Sequence, residues 1–366
     1  MPKKILFFCG ANYVFGKEVV TFNLIKELRE KGVHVHCIVN GWNDGDFIKR
    51  LKAEGVSYNE VKLGFFYLNK PLWTIDSLIH YPGAFFKLRS ILCSFSPDSI
   101  YFTSEREMLS VYPLVKKHKI ILYLMEPIAN SRLNNFITKA FKNKELTYVA
   151  CSEYIKKKLS LLGSLDKAQI KVVFNSIEVK DKPAKISTSD DIINVGIVGQ
   201  IRYHKGHDIL IKALAKLKNY KFSCSVYGSG DSSYQAELKK LSSDLGIADR
   251  VHFKGYEKDI DRIYSNLDIV VVPTRSEEPL ALAAMEPAQW KIPVIVSDQG
   301  GLPEAIVDKK TGFIFANERE ADLADKLELL FKDRELRQYL GANAFSRVDK
   351  TFNRSVMAES FLKIIS

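Results

Sequence analysis

The feature that most constrains the fold is a repeated alternation of buried strands with amphipathic helices. An apolar run at 5–9 is followed by a helical pattern at 19–31, then Gly32, then a second apolar run at 33–39. Gly is common just past a helix C-terminus, so Gly32 predicts where this helix ends. A strand–helix–strand order builds parallel sheets, because parallel strands need a crossover connection. The sequence therefore predicts an α/β protein.

The same alternation begins again in the second half of the chain. Residues 181–191 are polar and contain a Pro, and we interpret them as a linker between domains. A chain of 366 residues usually forms more than one hydrophobic core, so two doubly wound, Rossmann-like domains are expected, at 1–180 and 192–347. Further strands are predicted at 99–102, 120–124, 147–150, 192–198, 222–227, 251–253, 269–272, 294–296 and 312–315, and helices at 207–217, 234–245, 279–290 and 318–331.

Composition and charge narrow the class of protein. Hydrophobic residues make up 46% of the chain, which is an ordinary globular value, and no apolar run approaches the length of a membrane-spanning helix. The five cysteines form no CxxC pair, which favours a reducing cytoplasm and no structural zinc. The net charge of +11 lies entirely in residues 1–180, which hold 27 Lys and Arg against 16 Asp and Glu. The first half is therefore expected to face nucleic acid, phospholipid headgroups or a phosphorylated substrate, unless the charge only aids solubility.

Two acidic residues stand seven residues apart beside a predicted helix start. A buried strand ends at Pro273, and Pro279 suits the first position of a helix, whose free amides would include those of Ala281 and Leu282. Glu278 precedes that helix and Glu286 lies about two turns inside it. Carboxylates repel phosphate, so these two side chains are interpreted as acceptors for sugar and ribose hydroxyl groups. The alternative is that they are an ordinary N-terminal helix acid and an exposed face residue.

A second loop carries cations. The predicted strand at 192–198 is followed by Gly199, and the loop to Gly206 contains Arg202 and Lys205. Cations between a strand and a helix are well placed to neutralise a diphosphate, although they could equally be solvated surface charges. Gly16, in the first strand–helix loop, allows close approach of the backbone to a ligand, or simply a tight turn.

Several other patterns argue against a cofactor or a metal. The segment Gly228-Ser-Gly230 lacks the third Gly of a dinucleotide-binding loop. The acid pairs Asp44-Gly-Asp46 and Asp259-Ile-Asp261 are short enough to arise by chance, and the two histidines of the strand at 33–39 have no third ligand in view. No metal site and no bound cofactor are therefore predicted.

Taken together, the motifs resemble a known family. Glu278-x7-Glu286 is similar to an E-x7-E motif, and the loop 199–206 is similar to G-R-L-x-x-x-K-G. In the same order follow Tyr227-Gly-Ser-Gly230, Phe253-Lys-Gly-Tyr256, Gly300-Gly-Leu-Pro-Glu304 and Thr311-Gly312, and the first half contributes Gly16-Lys-Glu18, Cys151-Ser-Glu-Tyr154 and Val173-Phe-Asn175-Ser-Ile-Glu178. The chain resembles the retaining, nucleotide-sugar-dependent glycosyltransferases of family 4, of the bacterial cell-surface glycan type. The resemblance implies the GT-B fold, in which two Rossmann-like domains face a central cleft, with a last helix at 348–366 crossing back to the first domain.

The resemblance also implies roles for individual residues. Lys205, helped by Arg202, would hold the diphosphate, while Glu278 would touch the donor sugar and Glu286 the ribose. The donor site would further include Gly16, Gln200, Gly228, Tyr256, Ala281 and Leu282, and the acceptor side would include Glu126 and Asn175. The donor is expected to be a UDP-sugar or a GDP-sugar.

The sequence departs from the family at several of these places. Gln200 stands where the family has Arg, and Arg202 can supply the missing charge. Leu280-Ala281 replaces the common Phe-Gly, and Asn175-Ser176 lacks the usual Gly. Met125 replaces the His of an H-E-P segment, so the side chain at this position cannot act as a base.

The implied reaction is a hexosyl transfer in which the departing phosphate takes the acceptor proton, with no metal required. The acceptor would be a glycan or a lipid-linked glycan of lipopolysaccharide, capsule or another surface polysaccharide. The stretch 82–95 mixes cations with Phe85, Phe86, Ile91 and Leu92, which predicts either an ordinary core helix or a peripheral contact with the inner face of the cytoplasmic membrane. A sugar-nucleotide epimerase with the same fold and, less favoured, a basic nucleic-acid-binding protein remain as alternatives.

Overall fold

The computed structural model of the chain describes residues 2–63, 71–127, 146–162, 170–180 and 192–365. The predicted linker at 181–191 lies outside the described residues. The chain divides into two compact units, which are residues 1–176 with 354–366 (unit 1) and residues 177–353 (unit 2). The sequence placed these boundaries at 180 and 348. The difference follows from a backbone hydrogen bond of 2.9 Å between Ile177 N and Phe352 O, which holds both segments in unit 2.

Unit 1 contains a seven-stranded parallel sheet in the order β3-β2-β1-β4-β5-β6-β7. Its strands are β1 (Lys4–Cys9), β2 (His34–Asn40), β3 (Ser57–Val61), β4 (Ser99–Phe102), β5 (Lys119–Leu124), β6 (Leu146–Ala150) and β7 (Ile170–Val172). Its described helices are α1 (Gly16–Glu30), α2 (Asp46–Ala53), α3 (Pro71–Phe95), α4 (Glu105–Val115), α5 (Glu153–Ser160) and, from the end of the chain, α12 (Arg354–Ile365).

The last helix packs into the core of unit 1. Phe361 of α12 is fully buried, and its ring centroid lies 5.8 Å from that of Tyr101 on β4. Lys3 donates a 2.7 Å hydrogen bond to the carbonyl of Ile365, and Lys31 lies 3.4 Å from Glu359. The apolar positions of the C-terminal sequence are thus explained by burial.

Unit 2 contains a six-stranded parallel sheet in the order β10-β9-β8-β11-β12-β13. Its strands are β8 (Ile193–Val198), β9 (Phe222–Tyr227), β10 (Val251–Gly255), β11 (Ile269–Val272), β12 (Val294–Ser297) and β13 (Gly312–Phe315). Its helices are α6 (His207–Ala215), α7 (Ser232–Asp244), α8 (Ile260–Tyr264), α9 (Leu302–Ala305), α10 (Glu320–Lys332) and α11 (Arg334–Thr351). Both units are therefore doubly wound α/β domains, as predicted.

The strands form because their sequences are apolar on both faces. All four residues of β11 are buried, as are all four of β4 and of β12. A parallel sheet covered by helices on both faces needs such continuous apolar runs. Two strands were not predicted from the sequence, because β3 is largely polar and β7 has only three residues. Both lie at a sheet edge, where burial imposes less of a pattern.

One predicted helix is wrong. The segment 279–290 forms two short 3-10 turns, Leu282–Ala284 and Glu286–Trp290, rather than an α-helix. Pro287 explains the difference, because it has no backbone N–H and its ring would collide with the carbonyl four residues earlier in an α-helix. Among the helices of the described ranges, none is long and apolar enough to cross a membrane.

Candidate active site

The donor residues predicted in unit 2 follow the carboxyl ends of strands in its sheet, whereas the predicted donor residue Gly16 lies in unit 1. The strand order reverses at β8, which pairs with β9 on one side and with β11 on the other. In open α/β sheets, ligands bind beyond the carboxyl ends of the strands at such a switch point. Lys205 follows β8 and Glu278 follows β11, so the sheet order brings the two loops together.

Two close backbone contacts require glycine in these loops. A Cβ at Gly206 (φ 73°) would lie 1.9 Å from the carbonyl oxygen of Pro273, so this Gly lets the β8 loop lie against the end of β11. A Cβ at Gly228 would lie 1.9 Å from the carbonyl oxygen of Gly199, at the meeting of the β8 and β9 loops. Either side chain would force the loops apart, because real Cβ atoms do not approach this closely. Gly228 thus shapes the loop that carries Lys205.

A lysine–glutamate pair stands at the centre of this edge. Nζ of Lys205 donates to Oε2 of Glu278 at 2.7 Å, and the two side chains are 24% and 19% exposed. Lys205 ends a 3-10 turn, Tyr203–Lys205, just before Gly206. The pair is partly shielded yet accessible, and an anionic ligand can compete with the carboxylate for the ammonium group.

The backbone of Glu278 is held by the loop after β12. Gly301 N donates to Glu278 O at 2.6 Å, and a Cβ at Gly300 (φ 61°) would lie 2.2 Å from the same oxygen. The Gly-Gly pair singled out by the sequence therefore holds the backbone of Glu278 in place.

Glu286 makes a separate polar contact within unit 2. Its Oε2 accepts a 2.7 Å hydrogen bond from the hydroxyl of Tyr264, which is fully buried on α8 and packs 5.2 Å from the ring of Trp290. Burial raises the pKa of Glu286, and the Tyr264 hydroxyl partly offsets that rise. Tyr264 was not identified from the sequence, because the contact spans 22 residues and no local pattern marks it.

An arginine–aspartate pair that the sequence did not reveal ties the loops of the site together. Arg275 donates to both carboxylate oxygens of Asp208 on α6, at 2.7 and 2.6 Å, and both side chains are 12% exposed. The same guanidinium donates to the carbonyl of Tyr203 at 2.9 Å and stacks 4.2 Å from its ring centroid. The backbone N of Arg275 also donates to His204 O at 2.8 Å. Arg275 therefore positions the turn that presents Lys205.

The contact between Arg275 and Asp208 shifts the pKa values of both groups. Burial pushes the pKa of Asp208 upward, but hydrogen bonds from Arg275 and from the hydroxyl of Tyr234 (2.8 Å) outweigh it, and the pKa lies at about 2. Burial lowers the pKa of Arg275, and the bonds to Asp208 raise it further than burial lowers it. Both groups are ionised at neutral pH.

The remaining predicted donor residues of unit 2 are more exposed or lie in irregular backbone. Gln200, Arg202 and Tyr256 are exposed, Tyr256 by 67%. Ala281 has extended backbone (φ −78°, ψ 132°) and precedes the 3-10 turn in which Leu282 is the first residue. The two amides therefore do not form the N-terminus of an α-helix, which corrects the predicted geometry of the phosphate contact.

In unit 1 the three predicted residues differ in exposure. Gly16 is the first residue of α1 and is exposed, beside a 3.0 Å hydrogen bond from Phe15 N to the carboxylate of Glu18. Glu126 is exposed just after β5. Asn175 is only 6% exposed, and its Oδ1 accepts a 3.1 Å hydrogen bond from Tyr123, so it is part of the packing of unit 1.

The switch point of unit 1 holds a carboxyl that the sequence did not reveal. Glu107, on α4 after β4, packs so closely on Gly10, after β1, that a Cβ there would lie 2.1 Å from its Oε1. Burial is the main cause that raises the pKa of Glu107, to about 7. A pocket at this point is lined by Gly10, Asn40, Glu107 and Ser110 among apolar side chains. Over the described ranges of both units, no group of three or more His, Cys, Asp or Glu residues is placed to hold a metal.

His207, beside the loop that carries Lys205, gives a first prediction. It is 1% exposed, neither ring nitrogen has a hydrogen-bond partner among the described residues, and burial lowers its pKa to about 4. A buried polar group without a partner costs stability, so His207→Leu should raise the free energy of unfolding by about 1 kcal/mol at neutral pH. The gain should grow as pH falls from 6.5 toward 4, because the unfolded ring then takes up a proton that the folded ring refuses.

Urea denaturation at pH 7.5 and pH 5 measures this effect. The exposed His252, replaced by Leu, serves as the control and should leave the stability difference between the two pH values unchanged. A His207→Leu variant that is less stable than the wild type at both pH values would show that the ring makes a favourable contact.

Unit 2 is similar in sequence to known glycosyl transferases. Residues 178–347 match the sequence model of the family described as Glycosyl transferases group 1. The chain is 32% identical over 157 residues to alpha-D-kanosaminyltransferase of Streptomyces kanamyceticus, a match covering 42% of this chain and 40% of that protein. It is 27% identical over 165 residues to the lipopolysaccharide core biosynthesis mannosyltransferase LpsB of Rhizobium meliloti, covering 43% and 47%. The chain thus spans less than half the length of either relative.

The fold of the whole chain is also found in a solved structure. Anabaena HepE in complex with UDP superposes with a TM-score of 0.83 and 18% identity, covering 99% of each chain. At this identity the likeness concerns the fold, and it extends over both units. Residues 178–347 therefore match the group 1 glycosyl transferase family in sequence, within a chain that has the GT-B fold.

Proposed function

We propose that this protein is a retaining glycosyltransferase that moves a hexosyl group from a nucleoside-diphosphate sugar to a hydroxyl acceptor. The observation that carries the proposal is the 2.7 Å contact between Lys205 and Glu278 at the switch point of unit 2. Both residues lie inside the segment that matches the group 1 family. A cation for phosphate and a carboxylate for sugar hydroxyls are thus side by side where an α/β sheet binds its ligand.

The contact suggests how the donor would be held. A diphosphate carries more negative charge than one carboxylate, so it competes with Glu278 for the ammonium group of Lys205. Glu278, released from Lys205, can then accept hydrogen bonds from the donor sugar. Arg202 is exposed on the same loop and can reach the leaving phosphate from solvent. Both cations stabilise the negative charge that grows as the bond to the sugar breaks.

Glu286 suits the ribose. One of its oxygens is occupied by the Tyr264 hydroxyl, which fixes the orientation of the carboxylate. The other oxygen can accept a hydrogen bond from a ribose hydroxyl group. The backbone near Tyr256, which is exposed after β10, would form the base pocket.

Retention fits a front-face reaction with these groups. The bond between the anomeric carbon and the diphosphate oxygen breaks, and the acceptor oxygen forms its bond to the same carbon from the same face. The acceptor proton passes to an oxygen of the departing diphosphate. In this proposal Lys205, Arg202 and nearby amides supply the positive charge, and no metal ion is assigned a role.

The identity of the substrates is also a proposal. HepE was solved with UDP, which favours a UDP-sugar here, with a GDP-sugar as the second choice. The name of the Rhizobium relative, and the resemblance to enzymes of cell-surface glycans, favour a glycan or lipid-linked acceptor in lipopolysaccharide or another surface polysaccharide. Work on a lipid-linked acceptor would place the protein at the inner face of the cytoplasmic membrane.

A thermal-shift panel of UDP-, GDP- and ADP-sugars tests the proposal. A donor present at about 100 times its Kd should stabilise the folded protein by about 2.7 kcal/mol, which raises the Tm by several degrees. We expect a UDP-sugar to give the largest shift and Glu286→Ala to reduce it. If no nucleotide sugar raises the Tm of the wild type, the proposed function is wrong. Release of UDP that increases with an acceptor distinguishes transfer from epimerisation.

A further inference from the structure

Helix α3 exposes a stripe of large apolar side chains between its first turn and Phe86. Leu72 is 77% exposed, Ile75 53%, Ile79 70% and Phe86 67%. At 100° per residue these four positions fall within about 60° of one another around the helix axis, so they form one face. Leu78, also 53% exposed, lies at its margin. The opposite face is buried in unit 1 through Ala84 and Leu88, which are 5% and 1% exposed.

This arrangement revises the expectation from the sequence. The stretch 82–95 was expected to be either core or membrane contact, and the structure divides it. Ile91 and Leu92 are buried at 9% and 8% exposure, whereas Phe86 is exposed. The exposed apolar face extends toward the N-terminal end of α3, outside the stretch 82–95.

The stripe lies near the carboxyl edge of the sheet in unit 1. His80, on α3 next to Ile79, has its ring centroid 5.8 Å from that of Trp42, which follows β2. Its Nε2 lies 3.5 Å from Nζ of Lys62, which follows β3. The first half of α3 thus stands beside the strand ends, the edge at which an α/β domain binds its ligands.

Cations lie beside the stripe, together with the carboxylate of Asp76, whose side chain is 50% exposed one helical turn after Leu72. Lys62, Lys87 and Arg89 are exposed, and Lys87 and Arg89 flank the apolar face on its two sides. The sequence of unit 1 holds 28 Lys and Arg against 16 Asp and Glu, a net charge of +12, whereas unit 2 holds 26 against 27. Exposed apolar side chains with a basic surround are typical of a protein face that lies in an anionic lipid surface.

We propose that the stripe Leu72, Ile75, Ile79 and Phe86 inserts into the headgroup region of an anionic bilayer. The cations beside it contact lipid phosphates, while the apolar side chains reach the acyl boundary. A second copy of this chain is a poorer occupant, because two units of +12 charge would repel each other across the same face. The inference extends the proposed function, since a lipid-linked acceptor would then be presented at the strand ends of unit 1.

Co-sedimentation with vesicles tests this assignment. The full chain should bind vesicles of phosphatidylcholine with phosphatidylglycerol at low ionic strength, and bind far less to phosphatidylcholine alone or at high ionic strength. The triple variant Leu72→Gln/Ile75→Gln/Ile79→Gln should lose roughly tenfold or more of the binding, since the apolar insertion is removed while Gln keeps a good helix propensity. Lys87→Gln with Arg89→Gln should lose roughly fivefold per charge.

The matched control is a pair of exposed apolar residues on helices of unit 2. Leu329 and Tyr339 are 49% and 56% exposed, and Leu329→Gln/Tyr339→Gln should bind vesicles like the wild type. The same proteins are tested by circular dichroism melting and by the donor thermal shift, which reports on unit 2. An α3 variant that keeps its Tm and its donor shift but loses vesicle binding supports the assignment.

Three results would overturn it. The first is wild-type binding that does not depend on anionic lipid, and the second is a triple variant that binds like the wild type. The third is a wild type that is a dimer without lipid and a triple variant that is a monomer, which would assign the face to a second copy. The failure of the proposed function is a separate result, because the donor shift would then be missing while lipid binding stayed intact.

Discussion

Lys205→Ala is expected to lower the turnover of the donor by roughly 10²- to 10³-fold, the size of effect seen when one group that stabilises a leaving charge is removed. The reason is the position of the ammonium group, 2.7 Å from Glu278 at the strand ends where the diphosphate is proposed to lie. The negative charge on the diphosphate grows as the bond to the sugar breaks. Turnover should therefore fall more than donor affinity does.

The readout is release of nucleoside diphosphate from the donor that gives the largest thermal shift, first with water as the acceptor. Stability should change by less than about 1 kcal/mol, because Lys205 and Glu278 are partly exposed and such pairs contribute little to folding. A large loss of turnover in a stable variant thus separates a role in the reaction from a role in folding. Near-wild-type turnover would remove Lys205 from the proposed mechanism.

Two further variants sharpen this test. Lys205→Arg keeps the positive charge and should recover part of the turnover, although its planar group is presented differently. Lys332→Ala is the matched control, since Lys332 forms a 2.9 Å pair with Glu328 on α10 of the same unit. Removing that exposed cation should leave turnover close to the wild type.

The sequence predicted the central strands well because burial leaves them little choice. Strands β4, β9 and β11, and also the edge strand β13, begin and end at the predicted residues. Strands β4 and β11 are fully buried, β9 alternates buried with partly buried residues, and three of the four residues of β13 are buried. The order of those strands then explains why residues far apart in sequence meet. Lys205 and Glu278 are 73 residues apart, and they touch because β8 and β11 are neighbours.

Other parts of the site depend on tertiary contacts that local patterns do not contain. Arg275 was visible in the sequence only as one residue of a polar loop, and its partner Asp208 lies 67 residues away on α6. Tyr264 likewise reaches Glu286 from another element. The helix predicted at 279–290 was wrong for a local reason. The prediction followed the spacing of the apolar residues, although Pro287 cannot stand in the interior of a regular α-helix.

Arg275→Ala is expected to cost about 3–5 kcal/mol of unfolding free energy, the usual result of removing one partner of a buried ion pair. Both side chains are only 12% exposed, so the variant leaves the carboxylate of Asp208 shielded from water without its guanidinium. The variant also loses the hydrogen bond to the carbonyl of Tyr203, next to the turn that carries Lys205. Urea denaturation measures the loss, and donor thermal shift measures the effect on the site.

The stability that the Arg275–Asp208 pair contributes should depend on pH. The pKa of Asp208 is lowered to about 2, below the ordinary value of 3.8, so the pair stabilises the fold above pH 3.8 and its contribution is lost as pH falls through about 2. In Arg275→Ala, the hydroxyl of Tyr234 and the ammonium group of Lys212 still oppose the effect of burial on the pKa of Asp208, but the hydrogen bonds from Arg275 are lost. The stability difference between variant and wild type should therefore be greatest above about pH 4 and shrink in more acidic solution.

Matched substitutions show whether Arg275→Ala loses stability because Asp208 is left without a counter-charge or because packing is lost. Arg262 is 76% exposed and lies 3.5 Å from Asp259 in the same unit, so Arg262→Ala should cost less than about 0.5 kcal/mol. Removing both charges together, as Arg275→Met with Asp208→Asn, should recover much of the stability, because no uncompensated buried charge remains. If the double variant is as unstable as Arg275→Ala, the guanidinium stabilises the loops through its bond to Tyr203 and its packing rather than by neutralising Asp208.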